Sequence, residues 1–126
     1  MLHPSQFQVN EAWLVFRLNE EPIHTEADGD FNYVALMDAA SCFILSSTFA
    51  PVGQAEPSKL EVKRLFKRAW AHKKQSPKTL FVPTGQFASV VPAEAECQHI
   101  QVVRVSEDQL LLFIGEARES FKEHFG

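Results

Sequence analysis

The first half of the chain carries its apolar residues in short runs, a pattern typical of β-strands. Residues 12–18 are rich in β-forming side chains and end at an acidic, proline-containing segment. Residues 23–25 form a short extension that we expect to pair with this first strand. A turn at residues 27–30 leads into residues 31–38, in which Phe, Tyr, Ala and Met occupy alternate positions, and a tight connection leads on to residues 42–49. This pattern predicts three strands, the last two forming an antiparallel hairpin.

After residue 57 the apolar period changes from two residues to 3.6, the period of an amphipathic helix. Ser58 and Glu61 have the spacing of a capping box, in which each side chain accepts a hydrogen bond from the backbone N–H of the other residue. We therefore predict a helix over residues 58–75, which Pro77 ends. Its core-facing positions are Val62, Leu65, Phe66 and Ala69.

The last part of the chain alternates strands and helices. Residues 79–82 and 99–105 have the composition of strands. Between them we predict a brief helix around Val90, which Pro92 ends or kinks before a further turn. Ser106 begins a second capping-box spacing at the head of a last helix. The apolar face of that helix comprises Leu110, Phe113, Ile114, Ala117 and Phe121.

The resulting order, β-β-β-α-β-α-β-α, predicts one α/β domain over residues 1–126. An N-terminal antiparallel hairpin extended by parallel strands through helical crossovers closes that order into three layers around a mixed sheet. A chain of 126 residues is long enough for one sizeable core and too short for two.

Composition excludes several classes of protein. Twelve Lys and Arg against sixteen Asp and Glu give a net charge of -4, which excludes a chain that is basic over its whole surface. The longest apolar runs have five residues, against the roughly 20 that span a bilayer. The N-terminus lacks the pattern of a secretory signal, so we expect a cytoplasmic protein that does not enter a membrane. Cys42 and Cys97 have no CxxC spacing, and we expect both to be reduced and buried.

Positive charge is concentrated in the predicted helix of residues 58–75 and just beyond it. Eight of the twelve basic residues lie between positions 59 and 78, where only Glu61 opposes them. This window therefore carries +7, and the total of -4 leaves -11 for the other 106 residues. At about 100° per residue, five basic side chains form one stripe opposite the core positions: Lys63, Arg64, Lys67, Arg68 and Lys74.

Two interpretations of this stripe are open. It is the pattern of a surface that binds phosphates or an acidic protein patch, and also that of a solvated helix face that keeps an acidic domain soluble. Trp70 lies at the edge of the stripe, where it either stacks on a nucleic-acid base or belongs to the margin of the core.

No side chains have the spacing of a common catalytic or metal motif. HxH, HExxH, GxSxG, GxGxxG and the P-loop are absent, and Cys97 with His99 falls short of the three or four ligands of a zinc site. Asp38 closes an apolar strand before a tight turn, where a carboxylate either ligates a divalent cation or caps the turn. Glu116 and Glu119 lie on the acidic side of the last helix, which we expect to face solvent.

Two segments resemble motifs of the ribonuclease H-like core of retroviral integrases and transposases. In residues 31–46, Asp38 ends a strand and small or hydroxyl residues follow, as in the first hairpin of that family. Residues 77–87 resemble its second motif, a strand that runs into Asp-x-Gly and then an aromatic residue. The resemblance implies a ribonuclease H-like fold and a metal site for phosphodiester cleavage, with a third acid in the last helix, where Glu116 or Glu119 match.

The sequence departs from that family at two places. Pro83 stands where the second motif has its metal-ligating Asp, and residues 12–18 form a strand that precedes the first motif. Two-metal chemistry needs carboxylates on both cations, so the loss of one ligand removes the geometry of the site.

Three functional hypotheses follow. We expect a non-catalytic domain without a cofactor, which binds an acidic protein surface or nucleic acid through the helix of residues 58–75. The alternative is a nuclease or related phosphohydrolase that holds Mg²⁺ or Mn²⁺ with Asp38 and a Glu of the last helix. The third hypothesis is a homo-oligomer joined through a sheet edge at residues 12–18.

Overall fold

The computed structural model describes residues 1–19, 21–26, 29–54 and 56–125, with side chains as far as residue 123. Part of the predicted turn, Ala27 and Asp28, lies outside these residues. Within them, six strands and three α-helices form, in the order β1 Ala12–Arg17, β2 Ile23–Thr25, β3 Gly29–Asp38, β4 Ile44–Pro51, α1 Lys59–Lys73, β5 Thr79–Pro83, α2 Val90–Cys97, β6 Gln101–Val105 and α3 Leu111–Phe125. None of these helices has both the length and the apolar content that a bilayer crossing requires.

β1 lies at the centre of the sheet. The strand order is β4-β3-β1-β5-β6, and the short β2 pairs with the first residues of β3. Pairs β1–β3 and β3–β4 are antiparallel, whereas β1–β5 and β5–β6 are parallel, which confirms the predicted mixed sheet. The expectation that β1 has an unpaired edge is wrong, because β3 and β5 flank it.

The extension at residues 23–25 pairs with β3 and not with β1, contrary to the prediction. The reason is the buried side chain of Asn19, whose Oδ1 accepts a hydrogen bond from the Tyr33 N–H at 2.7 Å. Its Nδ2 donates to the Glu21 carbonyl at 2.7 Å. The Asn19 side chain thus takes the place of a β1 carbonyl as the partner of the Tyr33 N–H, and the chain pairs with β3 again through β2.

The sheet has helices on both faces, which confirms the predicted three layers. Alternation along β3 sends Val34 and Leu36 into a first core, which α1 and α2 cover, and Ala35 and Met37 into a second core, which α3 covers. β1 is buried on both faces because it contributes to both cores.

The three helix starts differ in detail from the prediction. The Ser58 side chain accepts from the Glu61 N–H, but the Glu61 carboxylate accepts from Thr48 of β4 at 2.7 Å, so only half of the capping box forms. Pro92 lies in the first turn of α2 and does not end that helix, because N–H groups there have no partner within the helix. Ser106 makes no side-chain cap and precedes a short 3₁₀ helix.

Glu56 caps α2 from a distance of more than thirty residues along the chain. Its carboxylate accepts from the Ser89 N–H at 2.7 Å and from the Val91 N–H at 2.9 Å. Partial burial raises the pKa of Glu56, but these backbone hydrogen bonds outweigh it, so the pKa lies below its ordinary value. The link fixes the loop before α1 to the start of α2.

Replacing Glu56 by alanine is expected to lower the free energy of unfolding by about 1 kcal/mol at pH 7, the usual loss for a helix cap. Because the pKa of Glu56 is lower in the folded state, this stabilisation is fully present above pH 4.5, its ordinary pKa, and is lost as the pH falls through the lower pKa of the folded state. The difference in unfolding free energy between wild type and Glu56→Ala, measured by urea denaturation, should therefore shrink as the pH falls from 7 to 3.5. Glu96→Ala, at an exposed position of α2, is the matched control. A deficit in Glu56→Ala that persists at acid pH would contradict the assignment.

Candidate functional site

α1 carries a continuous cationic surface. The side chains of Lys63, Arg64, Lys67, Arg68 and Lys74 are all exposed, and we refer to them together as the basic face. Among the described residues, only Arg64 of this group forms an ion pair, with Glu61 at 3.2 Å. The basic face lies opposite Val62, Leu65, Phe66 and Ala69, which are fully buried in the first core.

The basic face is held rigidly on the sheet. The Thr48 hydroxyl donates to Glu61, and the Ser46 hydroxyl donates to the Leu65 carbonyl at 2.6 Å, so two bonds tie α1 to β4. Arg68 reaches towards β4, with its guanidinium 3.5 Å from the Ser47 carbonyl. These contacts fix the backbone of α1 against β4.

Trp70 borders the basic face, and part of its ring is exposed. Its side chain is 40% exposed, and the Lys74 ammonium lies 5.4 Å from the ring centre, within cation–π range. Lys74 reaches this position because it caps α1 in the left-handed conformation, at a φ of 55°. Trp70 and Lys74 thus present an aromatic ring and a cation together.

Asp38 is buried and bonded within its own turn. Its Oδ2 accepts from the Ser41 N–H at 3.0 Å and from the Ser41 hydroxyl at 2.7 Å. Its Oδ1 accepts from the Asn10 N–H at 2.7 Å. The side chain of Asn10 in turn accepts from the indole N–H of Trp13 and donates to the Gln75 carbonyl. Asp38 therefore joins the β3–β4 turn, the start of β1 and the end of α1.

Asp38 and Pro83 lie towards opposite ends of the sheet. Asp38 pairs with Trp13 near the start of β1, and Trp13 pairs with Leu80 near the start of β5. Pro83 comes three residues after Leu80. At about 3.3 Å per residue and 4.8 Å per strand, the two positions are roughly 14 Å apart. Metal ions in a two-metal site are about 4 Å apart, so side chains at positions 38 and 83 could not share one.

The neighbouring carboxyl ends of β1 and β5 carry apolar residues. Leu14 pairs with Phe81 at the end of this ladder, and Phe16 and Pro83 each lie two residues further along their strands. Phe16 is fully buried in the second core, and Pro83 is buried too. Neither side chain has an oxygen that could ligate a metal.

Glu107 is a carboxylate near this end of the sheet, and it is neutralised by Arg118. The two side chains form an ion pair at 2.6 Å, and the Gln86 amide donates to Glu107 at 2.8 Å. The hydrogen bond from Arg118 is the main cause of a lowered Glu107 pKa. Arg118 also donates to the carbonyl of Arg17 at 3.0 Å. This network joins α3 to the end of β1 and to the loop after β5.

The sequence candidates in α3 are exposed. Glu116 lies beside Cys42 in a groove between α3 and the β3–β4 turn, and Glu119 is exposed on the same helix. Burial raises the pKa of the Cys42 thiol, and the negative charges of Asp38 and Glu116 raise it further. Among the residues that the structure describes, no three His, Cys, Asp or Glu side chains are placed to hold a metal ion.

The expectation of two buried thiols is wrong. Both cysteines are free, but Cys42 is only partly buried and Cys97 is exposed. The reason is helical geometry: Cys97 is two residues after the buried Ala95, so it points about 200° away from the core side of α2.

Three side chains that link distant segments of the chain were not predicted from the sequence: Asn10, Arg104 and Arg118. Asn10 takes a left-handed φ of 64°, and the side chain of Arg104 on β6 donates to the carbonyls of Gln86 and Phe87. With Arg118, these residues act through contacts distant in sequence. The one local signal was at Asn10, since Asn adopts the left-handed conformation more readily than most residues.

Comparison with solved structures identifies the architecture. The catalytic core domain of HTLV-2 integrase in complex with magnesium, in its trimeric form, superposes with a TM-score of 0.61 at 11% sequence identity, over 90% of this chain and 68% of that one. The catalytic core domain of BIV integrase gives a TM-score of 0.59 at 13% identity, over 90% and 68% of the two chains. The simian T-cell lymphotropic virus intasome in complex with the PP2A regulatory subunit B56 gamma gives 0.55 at 13% identity, over 90% and 37%.

These likenesses establish a ribonuclease H-like fold and confirm the structural part of the resemblance seen in the sequence. No protein-family model matches the sequence, and no curated protein matches it. The position of β1 corrects the assignment of motifs. β1 is the central strand of the sheet and not an element added before it, so Asp38 ends the second long strand and not the first.

Proposed function

We propose that this chain is a non-catalytic binding domain of ribonuclease H-like fold. It docks on an acidic partner, either an acidic protein surface or nucleic acid, through the basic face of α1, and it uses no metal cofactor. The observation that carries the proposal is that five cations on one exposed helix face are opposed by a single carboxylate, Glu61, among the described side chains.

The charge distribution favours docking at this face over a purely solubilising role. A solvated helix face usually mixes both signs of charge, whereas residues 59–78 carry +7 in a chain whose net charge is -4. Concentrated positive charge raises the local density of anionic partners and the rate at which they associate. Trp70 adds an exposed ring beside these cations, a combination that suits both acidic peptides and nucleic acid.

The positions that the integrase-like fold would use for metal chemistry support the non-catalytic part of the proposal. Phe16 and Pro83 occupy the adjoining ends of β1 and β5, and the nearby Glu107 is paired with Arg118. These residues do not fit a divalent cation, which prefers several oxygen ligands. Asp38 instead uses both carboxylate oxygens within the β3–β4 turn and towards Asn10.

A salt titration tests the proposal. Binding of a 20-base-pair DNA duplex and of poly-L-glutamate to the protein is measured by fluorescence anisotropy at salt concentrations from 25 to 300 mM. The series begins at low salt because surface charges are screened least there. We expect affinity for at least one of the two probes to fall as salt rises, with a log–log slope of about -3 to -5 for four or five contacted charges on DNA. Absence of binding to both probes at 25 mM salt, or binding that is independent of salt, would contradict the proposal.

A further inference from the structure

β4 is an open edge of the sheet beside the basic face. On one side it pairs with β3 along its length, and among the described residues no strand pairs with its other side. The N–H and C=O groups of β3 point alternately towards β1 and towards β4, and this alternation shows which N–H and C=O groups of β4 do not bond to β3. Tyr33 bonds on the β1 side, to the Leu18 N–H and to Asn19. Because the direction alternates along a strand, Val34 faces β4, where it pairs with Thr48.

Ser47 and Phe49 flank Thr48, so their backbone N–H and C=O groups point outward from the sheet. The contact from Arg68 agrees with this direction, since its guanidinium approaches the Ser47 carbonyl from α1. At 3.5 Å this contact is long for a hydrogen bond, so Arg68 can exchange it for another acceptor. The edge thus offers two donors and two acceptors in the register of an added strand.

The two sides of this edge differ in chemistry. On the α1 side, Arg64 and Arg68 are exposed at the margin of β4. On the opposite side of the sheet, Phe49 is 52% exposed and packs against Phe31, with ring centres 5.4 Å apart. A strand added here would place alternate side chains beside the two arginines and the others beside Phe49. The edge therefore fits a segment that alternates acidic and apolar residues.

A second copy of the chain fits the edge poorly. Antiparallel pairing of two β4 strands about a twofold axis would place both α1 helices on the same face of a continuous sheet. The Arg64 and Arg68 side chains of the two copies would then lie near each other, and like charges in that arrangement repel. The charge at the edge selects an acidic occupant.

We propose that an extended acidic segment of a partner protein adds to the sheet as a strand at the free edge of β4. Its carboxylates meet Arg64 and Arg68, and its apolar side chains lie against Phe49. This inference rests on the proposed acidic partner and deepens it, because it selects protein over nucleic acid: main-chain groups at a sheet edge match another peptide backbone.

The test uses the full chain and a defined probe, an acetylated and amidated ten-residue peptide in which glutamate and valine alternate. We expect binding of this peptide to slow amide exchange of Ser47 and Phe49 by at least about tenfold, since the new hydrogen bonds protect those amides. The same peptide with every backbone nitrogen methylated keeps the charge but cannot donate to the edge, and it should not bind.

Two double variants with reversed charge test where the carboxylates of the bound peptide lie. Arg64→Glu with Arg68→Glu changes the margin of β4, whereas Lys63→Glu with Lys74→Glu makes the same charge change on the far side of the basic face. We expect the first pair to weaken peptide binding about tenfold or more and the second less than about threefold. All four side chains are exposed, and circular dichroism checks that both variants fold.

The outcomes separate this inference from the proposed function. If both peptides bind equally and both variant pairs weaken them equally, the partner docks on α1 by charge alone and the strand addition is wrong. DNA binding without peptide binding also overturns the inference and favours nucleic acid. Protected Ser47 and Phe49 amides in a dimer of the free protein would show that a second copy occupies the edge. Failure of the peptide alone, with poly-L-glutamate still bound, overturns only the inference, whereas failure of the peptide, poly-L-glutamate and the DNA overturns the proposed function as well.

Discussion

Replacing Asp38 by alanine should lower the free energy of unfolding by about 3 kcal/mol, because a buried charged acceptor is removed and its donors lose their partner. Asp38 is 2% exposed and accepts three hydrogen bonds, two from Ser41 and one from the Asn10 N–H. Asn10 orients the fully buried indole of Trp13 through a bond of 2.7 Å, so the loss extends to the first core. Urea denaturation at pH 7 measures the change.

Two controls separate this structural role from metal binding. Glu116→Ala, on the exposed side of α3, should change stability by less than about 0.5 kcal/mol. Millimolar Mg²⁺ or Mn²⁺ should leave the melting temperature of the wild-type protein unchanged, since a cation that bound only the folded state would raise it by mass action. A rise with metal that disappears in Asp38→Asn would show that Asp38 is a ligand and would revive the phosphohydrolase hypothesis.

Reversing four charges of the basic face should nearly abolish binding to polyanions. Replacing Lys63, Arg64, Lys67 and Arg68 by glutamate changes the charge of residues 59–78 from +7 to -1. Each of these side chains is exposed, so the fold should persist. We expect affinity for the better of the two probes, duplex DNA or poly-L-glutamate, to fall at least about 1000-fold at 25 mM salt, because attraction is replaced by repulsion.

Single substitutions provide the matched comparison for this prediction. Lys67→Glu and Lys122→Glu change the net charge equally, but Lys67 is on α1 and Lys122 is on α3, across the sheet. If the basic face docks the partner, at 0.1 M salt only Lys67→Glu weakens binding by more than about threefold, since screening at that salt limits the reach of exposed charges to about 10 Å. Equal effects would mean that overall charge, and not this surface, governs binding.

The sequence was sufficient to predict that α1 forms and which of its side chains are buried. Val62, Leu65, Phe66 and Ala69 repeat at the helical period, and that period also fixes the angle of every other side chain on α1. Exposure of the five cations follows from burial of the apolar stripe. Binding at this face depends on the chemistry of a partner, which the helical period does not encode.

The strand order could not be predicted in the same way. β1 pairs with residues 34–38 and 79–81, partners that are distant in the chain and leave no local pattern. Its five consecutive buried residues are typical of a central strand, but a short apolar run of this kind does not identify its neighbours. Because the neighbours of β1 could not be identified, β1 was wrongly expected at an edge of the sheet. For the same reason, Asp38 was wrongly aligned with the motif of the family's first strand.

Only the local contacts of Asp38 could be predicted, because its other contacts depend on the order of the strands. Asp38 was identified from its position before a turn, and turn capping, one of the two roles considered, agrees with its bonds to Ser41. Its third bond, to Asn10 across 28 residues, depends on the sheet and could not be inferred locally. That Phe16 and Pro83 lie at neighbouring strand ends likewise becomes evident only once β1 and β5 are known to be adjacent.

The most direct test of the proposed docking surface is an NMR titration that records which backbone amides shift when duplex DNA or poly-L-glutamate is added at low salt. For the probe that binds, we expect the largest shifts on residues 59–74, centred on Lys63, Arg64, Lys67 and Arg68. Shifts centred instead on α3, on β2, or on the carboxyl ends of β1 and β5, with α1 unaffected, would contradict this expectation.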